Sequence, residues 1–137
     1  MPLLITGISH HTATLEIREK IAITRLDYAA QVKELHELDD IEEVVVVSTC
    51  NRTEIYSVGP KPSRDQVRQW LQAKGNLSDD EMTQHCYVRE RDQAVRHLFR
   101  VAGGLESLVL GESQIVGQLK DSWQMANEAG VVGKVLD

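Results

Sequence analysis

Four consecutive valines, Val44 to Val47, lie inside the run of residues 41–48. β-Branched side chains suit a pleated surface, so this run predicts a buried strand. Residues 3–8 predict an earlier strand, closed by Ser9-His10-His11-Thr12 and a short turn. Thr24 with Asp27 three residues on resembles a capping box. The helix it opens carries Tyr28, Val32 and Leu35 on one face and ends near Leu38. Residues 53–58 alternate and predict a strand antiparallel to the valine strand, because the connection is tight. Gly59-Pro60-Lys61-Pro62 breaks the chain.

Ser63, with Gln66 three residues on, caps a helix whose apolar face is Val67, Trp70 and Leu71 and whose stop is Gly75. Ser78 with Glu81 starts a short helical turn, and residues 86–89 form a fourth strand. Asp92 opens a helix with the stripe Val95, Leu98, Phe99 and Ala102, interrupted by Gly103-Gly104. A last helix over residues 113–129 buries Ile115, Val116, Leu119, Trp123 and Ala126, and Gly130 ends or bends it. The order strand, helix, strand, strand, helix, strand, then helices predicts an α+β fold. It matches a ferredoxin-like split βαβ sandwich (βαββαβ) with helices on one face of the sheet. Residues 1–137 read as one domain, and the ending Val131 to Asp137 reads as a segment of a longer chain.

Composition narrows the function. Six aromatic residues in 137 leave the core to aliphatic side chains. No apolar stretch approaches the roughly 18 residues of a membrane helix. The start lacks a charged region and a long apolar segment, so it is not a secretory signal. Cys50 and Cys86 form no CxxC pair, which predicts reduced cytoplasmic thiols. The net charge of −6 argues against a non-specific nucleic-acid binder. Arg89, Arg91, Arg96 and Arg100 are concentrated locally, but with Glu90 and Asp92 interleaved they read as a solvated helix face.

The chemistry centres on Cys50. It follows the valine strand among Ser48, Thr49, Asn51 and Arg52, a positive setting of the kind that favours a thiolate. The plain alternative is a small buried side chain at a strand end; Cys86, between His85 and Tyr87, reads that way. His97 lies about 200° around its helix from Val95, off the apolar stripe. It is either a surface histidine or a general acid or base brought to Cys50 by the fold. Arg52 is either a solvated charge or a fork for a substrate carboxylate. The end of the first strand, with His10 and His11, need not be near Cys50. A zinc site from His10, His11, Cys50, His85 and Cys86 does not match usual ligand spacings. No dinucleotide or triphosphate loop motif is present.

Three blocks carry a family resemblance: Gly7 to Ala13, Ser48-Thr49-Cys50-Asn51-Arg52-Thr53-Glu54-Ile55-Tyr56, and Gly104 to Ile115. Together they closely resemble the N-terminal catalytic domain of the glutamyl-tRNA reductase family, over essentially the whole chain. The resemblance implies that Cys50 attacks the ester of glutamyl-tRNA(Glu) and forms a thioester. NADPH then releases glutamate-1-semialdehyde, the first dedicated precursor of tetrapyrroles. It implies that His97 assists at the carbonyl and that Thr49, Arg52, Ser107 and Gln114 bind the glutamyl group. It also implies that NADPH is bound by a domain absent from this chain, that the full-length protein is a homodimer, and that an aminomutase acts downstream. The stretch after Gly111 resembles the start of the family's long linker helix. The fragment alone is then at most esterase-like. A reading of a different class remains: a regulatory or redox-sensing binding module in which Cys50 is structural.

Overall fold

The computed structural model describes residues 3–38, 41–59, 64–102, 114–130 and 132. Four strands form one sheet: β1 (Leu3–Ser9), β2 (Glu43–Ser48), β3 (Arg52–Val58) and β4 (Tyr87–Glu90). Their order is β2-β3-β1-β4 and each neighbouring pair is antiparallel. Six helices complete the described residues: α1 (Leu15–Ile21), α2 (Tyr28–His36), α3 (Arg64–Gly75), α4 (Asp79–His85), α5 (Arg91–Ala102) and α6 (Gln114–Glu128).

The valine strand is an edge of the sheet, and its four valines are all buried. An edge strand exposes unpaired backbone groups. Here the buried Tyr28 hydroxyl, from α2, answers them. It accepts from the Val46 N–H at 2.9 Å and donates to the Val46 carbonyl at 2.7 Å. The Ser122 carbonyl, from α6, lies 3.1 Å from the same hydroxyl, so two helices cover the edge.

Every residue of β1 and β3 is buried. Side chains alternate between faces along a strand, so both faces of the central sheet are covered. The expectation of helices on one face is therefore wrong. Its cause is visible on β3, where Arg52, Glu54 and Tyr56 share one face: a buried polar layer also needs a cover, and α5 supplies it.

Other boundaries shift for local reasons. Helix α1 was expected to be a turn; it has seven residues and buries only Ile17 and Ile21, too short a repeat to stand out. Thr24 does not cap α2: its hydroxyl bonds the Asp27 carboxylate at 3.0 Å, and Asp27 is the residue before the helix. The Ser78–Glu81 capping box is formed in both directions. Cys86 ends α4, and β4 begins one residue later. The expected apolar stripe of α5 is only in part its buried face: Val95 and Leu98 are half-buried against the core. Phe99 is 71% exposed, while Ala94 and His97 are buried. In α6, Ser122 and Ala126 are buried and Trp123 is half-buried. Ser63, Gly103, Gly104 and Ser107 lie outside the described residues, as do the side chains of Ala102, Gln114, Ile115, Val116 and Leu119.

Candidate functional site

β2 and β3 are joined by Thr49-Cys50-Asn51, and every residue of this turn is tied down. The Thr49 N–H donates to the Arg52 carbonyl at 2.7 Å. The Thr49 hydroxyl oxygen accepts from the backbone N–H groups of Asn51 (3.1 Å) and Arg52 (3.2 Å). Ser48 and Thr53 bond across the ladder at 3.1 Å. The Cys50 carbonyl accepts from the Arg18 guanidinium, reaching over from α1. The Asn51 carbonyl accepts from the His10 N–H at 2.7 Å. This last bond joins the end of β1 to the cysteine turn, against the expectation that they need not be near. The Cys50 side chain itself is exposed, with the Asn51 amide oxygen 3.9 Å from its sulfur. A packed structural cysteine is thereby excluded. Cys86 is half-buried, and burial pushes its thiol up.

Behind the turn, alternation along β3 places Arg52, Glu54 and Tyr56 on one face. Glu54 is completely buried. It accepts from the Tyr56 hydroxyl at 2.9 Å, from the Tyr87 hydroxyl, and from His97 Nε2. An Arg52 guanidinium nitrogen stands 3.7 Å away, with both side chains fully buried. Burial is the largest single effect on Glu54 and opposes its charge. The His97 hydrogen bond and charge, Arg52 and Tyr87 together outweigh it, so the carboxyl is held below its usual range. A carboxylate can only accept, so His97 carries its proton on Nε2 and Nδ1 is the remaining ring nitrogen. Burial, then Glu54, pushes both tyrosines well above their ordinary range, which keeps them as donors.

Gly7 makes this layer possible. It pairs with Glu54 on one side and Tyr87 on the other. A Cβ there would lie 2.9 Å from Glu54 Cγ, 3.0 Å from the Tyr87 hydroxyl and 3.1 Å from the Thr53 carbonyl. Only glycine lets the two side chains cross the strand.

His97 opens from this layer onto a cavity of about 440 Å³. The end of β1 contributes Ser9, His11 and Thr12; β4 contributes Tyr87 and Arg89; α5 contributes Gln93, Arg96, His97 and Arg100. The α5 positions follow i, i+3, i+4, i+7, a second stripe displaced by two residues from the apolar one. His97 is thus neither a surface residue nor a core one, and Arg96 and Arg100 face a cavity rather than merely forming a solvated face.

The structure brings His97 and Arg52 together on Glu54. Cys50 is not among the described residues that line the cavity; the Ser9–Thr12 turn, three of whose residues do line it, is bonded to the cysteine turn through His10 and Asn51. Thr49 organises the turn through its hydroxyl. Ser107 and the Gln114 side chain lie outside the described residues. Sequence reasoning missed Glu54, Tyr87 and Gly7. The signal was present, since three polar residues at alternate positions of a strand beside buried neighbours imply a polar layer. Among the described residues no group of three or more His, Cys, Asp or Glu side chains is placed to hold a metal ion.

The family model described as "Glutamyl-tRNAGlu reductase, N-terminal domain" matches residues 6–137. A glutamyl-tRNA reductase of Pseudomonas fluorescens is 46% identical over 136 residues, covering 99% of this chain and 32% of the relative. One of Pseudomonas putida is 44% identical over the same shares. A solved structure, glutamyl-tRNA reductase from Methanopyrus kandleri, superposes with a TM-score of 0.76 at 31% identity, covering 98% of this chain and 30% of that one. The chain spans about a third of the length of the curated relatives it matches.

Proposed function

The chain belongs to the glutamyl-tRNA reductase family, and on that premise we propose that it carries the acyl-transfer half of the reaction, with Cys50 as nucleophile. The Cys50 thiolate attacks the carbonyl carbon of the ester between glutamate and the tRNA 3′ end. A carbon–sulfur bond forms, the carbon–oxygen ester bond breaks, and the ribose oxygen leaves with a proton. The product is a glutamyl thioester on Cys50 and free tRNA. The proton comes from the Cys50 thiol: His97 Nδ1 takes it as the thiolate forms and returns it to the ribose oxygen, while Glu54 holds the ring by accepting from Nε2, as an acid orients a base in other nucleophilic sites. Thr49, Ser107 and Gln114 recognise the glutamyl group, and Arg52, its side chain fully buried 3.7 Å from Glu54, keeps that carboxylate charged in place of the substrate contact the resemblance implies.

The observation that carries this reading is the exposed Cys50 thiol on a turn whose backbone is fixed at each residue, bonded through Asn51 to the rim of a cavity that holds His97. The strand order β2-β3-β1-β4 supports a ferredoxin-like split βαβ sheet, with two helices in each crossover.

Reduction by NADPH, a homodimer and hand-over to an aminomutase belong to this proposal for the whole protein. The described residues do not fit a dinucleotide. Their sheet is antiparallel throughout and offers no glycine-rich strand-to-helix loop, so no reduction step is assigned to this chain. The test is single-turnover deacylation of glutamyl-tRNA. Cys50→Ser should reduce the rate to the uncatalysed level; a rate equal to that of the unmodified chain would refute the covalent route.

A further inference from the structure

A chain of net charge −6 gathers three guanidinium groups and two imidazoles around one cavity, and among the described residues no acidic side chain lines it. Among the described residues, Arg89, Arg96 and Arg100 have no ion-pair partner. They are displayed by a rigid corner. β4 passes into α5 with no loop, and Arg91 at the junction has φ 51°, a left-handed conformation that costs a side-chain-bearing residue about 1–2 kcal/mol. The corner places Arg89 on the strand and Arg96 and Arg100 one turn apart on the helix, all against the same space. The Arg89 guanidinium carbon stands 5.2 Å from the centroid of the Tyr87 ring, forming a planar cationic platform.

We propose that Arg96 and Arg100 bind phosphodiester groups of a single-stranded RNA 3′ end, with the Arg89–Tyr87 pair as the surface on which a terminal base stacks. This rests on the acyl-transfer reading above and names the subsite that delivers the ester to Cys50. Paired guanidiniums suit phosphate oxygens, and arginine and aromatic planes suit splayed bases. A cavity of about 440 Å³ admits one or two nucleotides and not a duplex. With a net charge of −6 the chain as a whole does not attract nucleic acid, so this cluster of guanidinium groups is a local exception.

The test is the affinity of the chain for a short RNA hairpin with a single-stranded 3′ overhang, and for its blunt-ended counterpart, across a salt series. Arg96→Gln and Arg100→Gln should each weaken overhang binding about 3- to 10-fold at low salt. Each should also lower the slope of log affinity against log salt by about 0.7, the value of one single-strand phosphate contact. Arg25→Gln removes an exposed arginine paired with Asp121 and should leave both unchanged. Unfolding temperatures of all variants report on folding. Overhang binding by the double variant with unaltered affinity and slope overturns the proposal, as does an equal loss for the blunt hairpin. Loss of NADPH affinity in place of overhang affinity overturns it too, in favour of a dinucleotide. The Cys50→Ser deacylation assay reports separately on the parent reading: Cys50-dependent deacylation with unaltered binding in the double variant removes this inference alone.

Discussion

Glu54 and His97 stand 43 positions apart in sequence and share a hydrogen bond inside the sheet, the carboxylate accepting from Nε2. Because Glu54 also accepts from two tyrosines and faces Arg52, the imidazole is fixed on three sides of its partner. Glu54→Gln keeps the shape but offers His97 a mixed donor and acceptor. Single-turnover deacylation of glutamyl-tRNA should slow by about 100-fold, the scale of a lost general acid or base. A rate within twofold of the unmodified chain would show that His97 needs no orientation.

Acid should attack the same residue. The folded-state pKa of Glu54 lies below its ordinary value of 4.5. Its stabilising contribution is therefore present above that value and is lost as pH falls through the lower folded one. Urea unfolding from about pH 6 down to pH 3 should show stability falling on the acid side, with a shallower fall in Glu54→Gln. An identical acid limb in both proteins would contradict the ion-paired assignment.

Gly7→Ala tests the crossing of Glu54 and Tyr87. The added methyl meets one backbone oxygen and two side chains that are themselves hydrogen-bonded. Overpacking of this kind costs roughly 1–3 kcal/mol, to be read from urea midpoints. Because the displaced groups hold His97, deacylation should fall as well.

Tyr28→Phe removes the hydroxyl that serves both backbone groups of Val46. Leaving buried edge groups unpaired costs roughly 1–3 kcal/mol. Hydrogen exchange should rise at the Val46 amide and remain unchanged on β4.

Much of the fold was legible because its elements are short and strongly patterned. The four valines, the Ser78–Glu81 box and the alternation over residues 53–58 each have a local cause. Helix α1 was not legible, since two buried isoleucines in seven residues define no period. The site was half legible. Cys50 announced itself by its polar neighbours at a strand end. From helix periodicity alone His97 read only as off the apolar stripe, because a helix facing a polar cavity reads in sequence like one facing water; its role at the carbonyl came from the family resemblance. Glu54 was hidden by the habit of reading a charged residue in an alternating strand as exposed. Its burial depends on Gly7, Tyr87 and His97, which only the folded sheet brings together.

The most direct measurement is intact mass of the chain after brief exposure to glutamyl-tRNA, quenched in acid to preserve an acyl group. The account predicts a mass gain of one glutamyl group, mapped to the Cys50 peptide, removed by hydroxylamine and absent in Cys50→Ser. An unmodified Cys50 in a chain that still releases glutamate from the tRNA would contradict it.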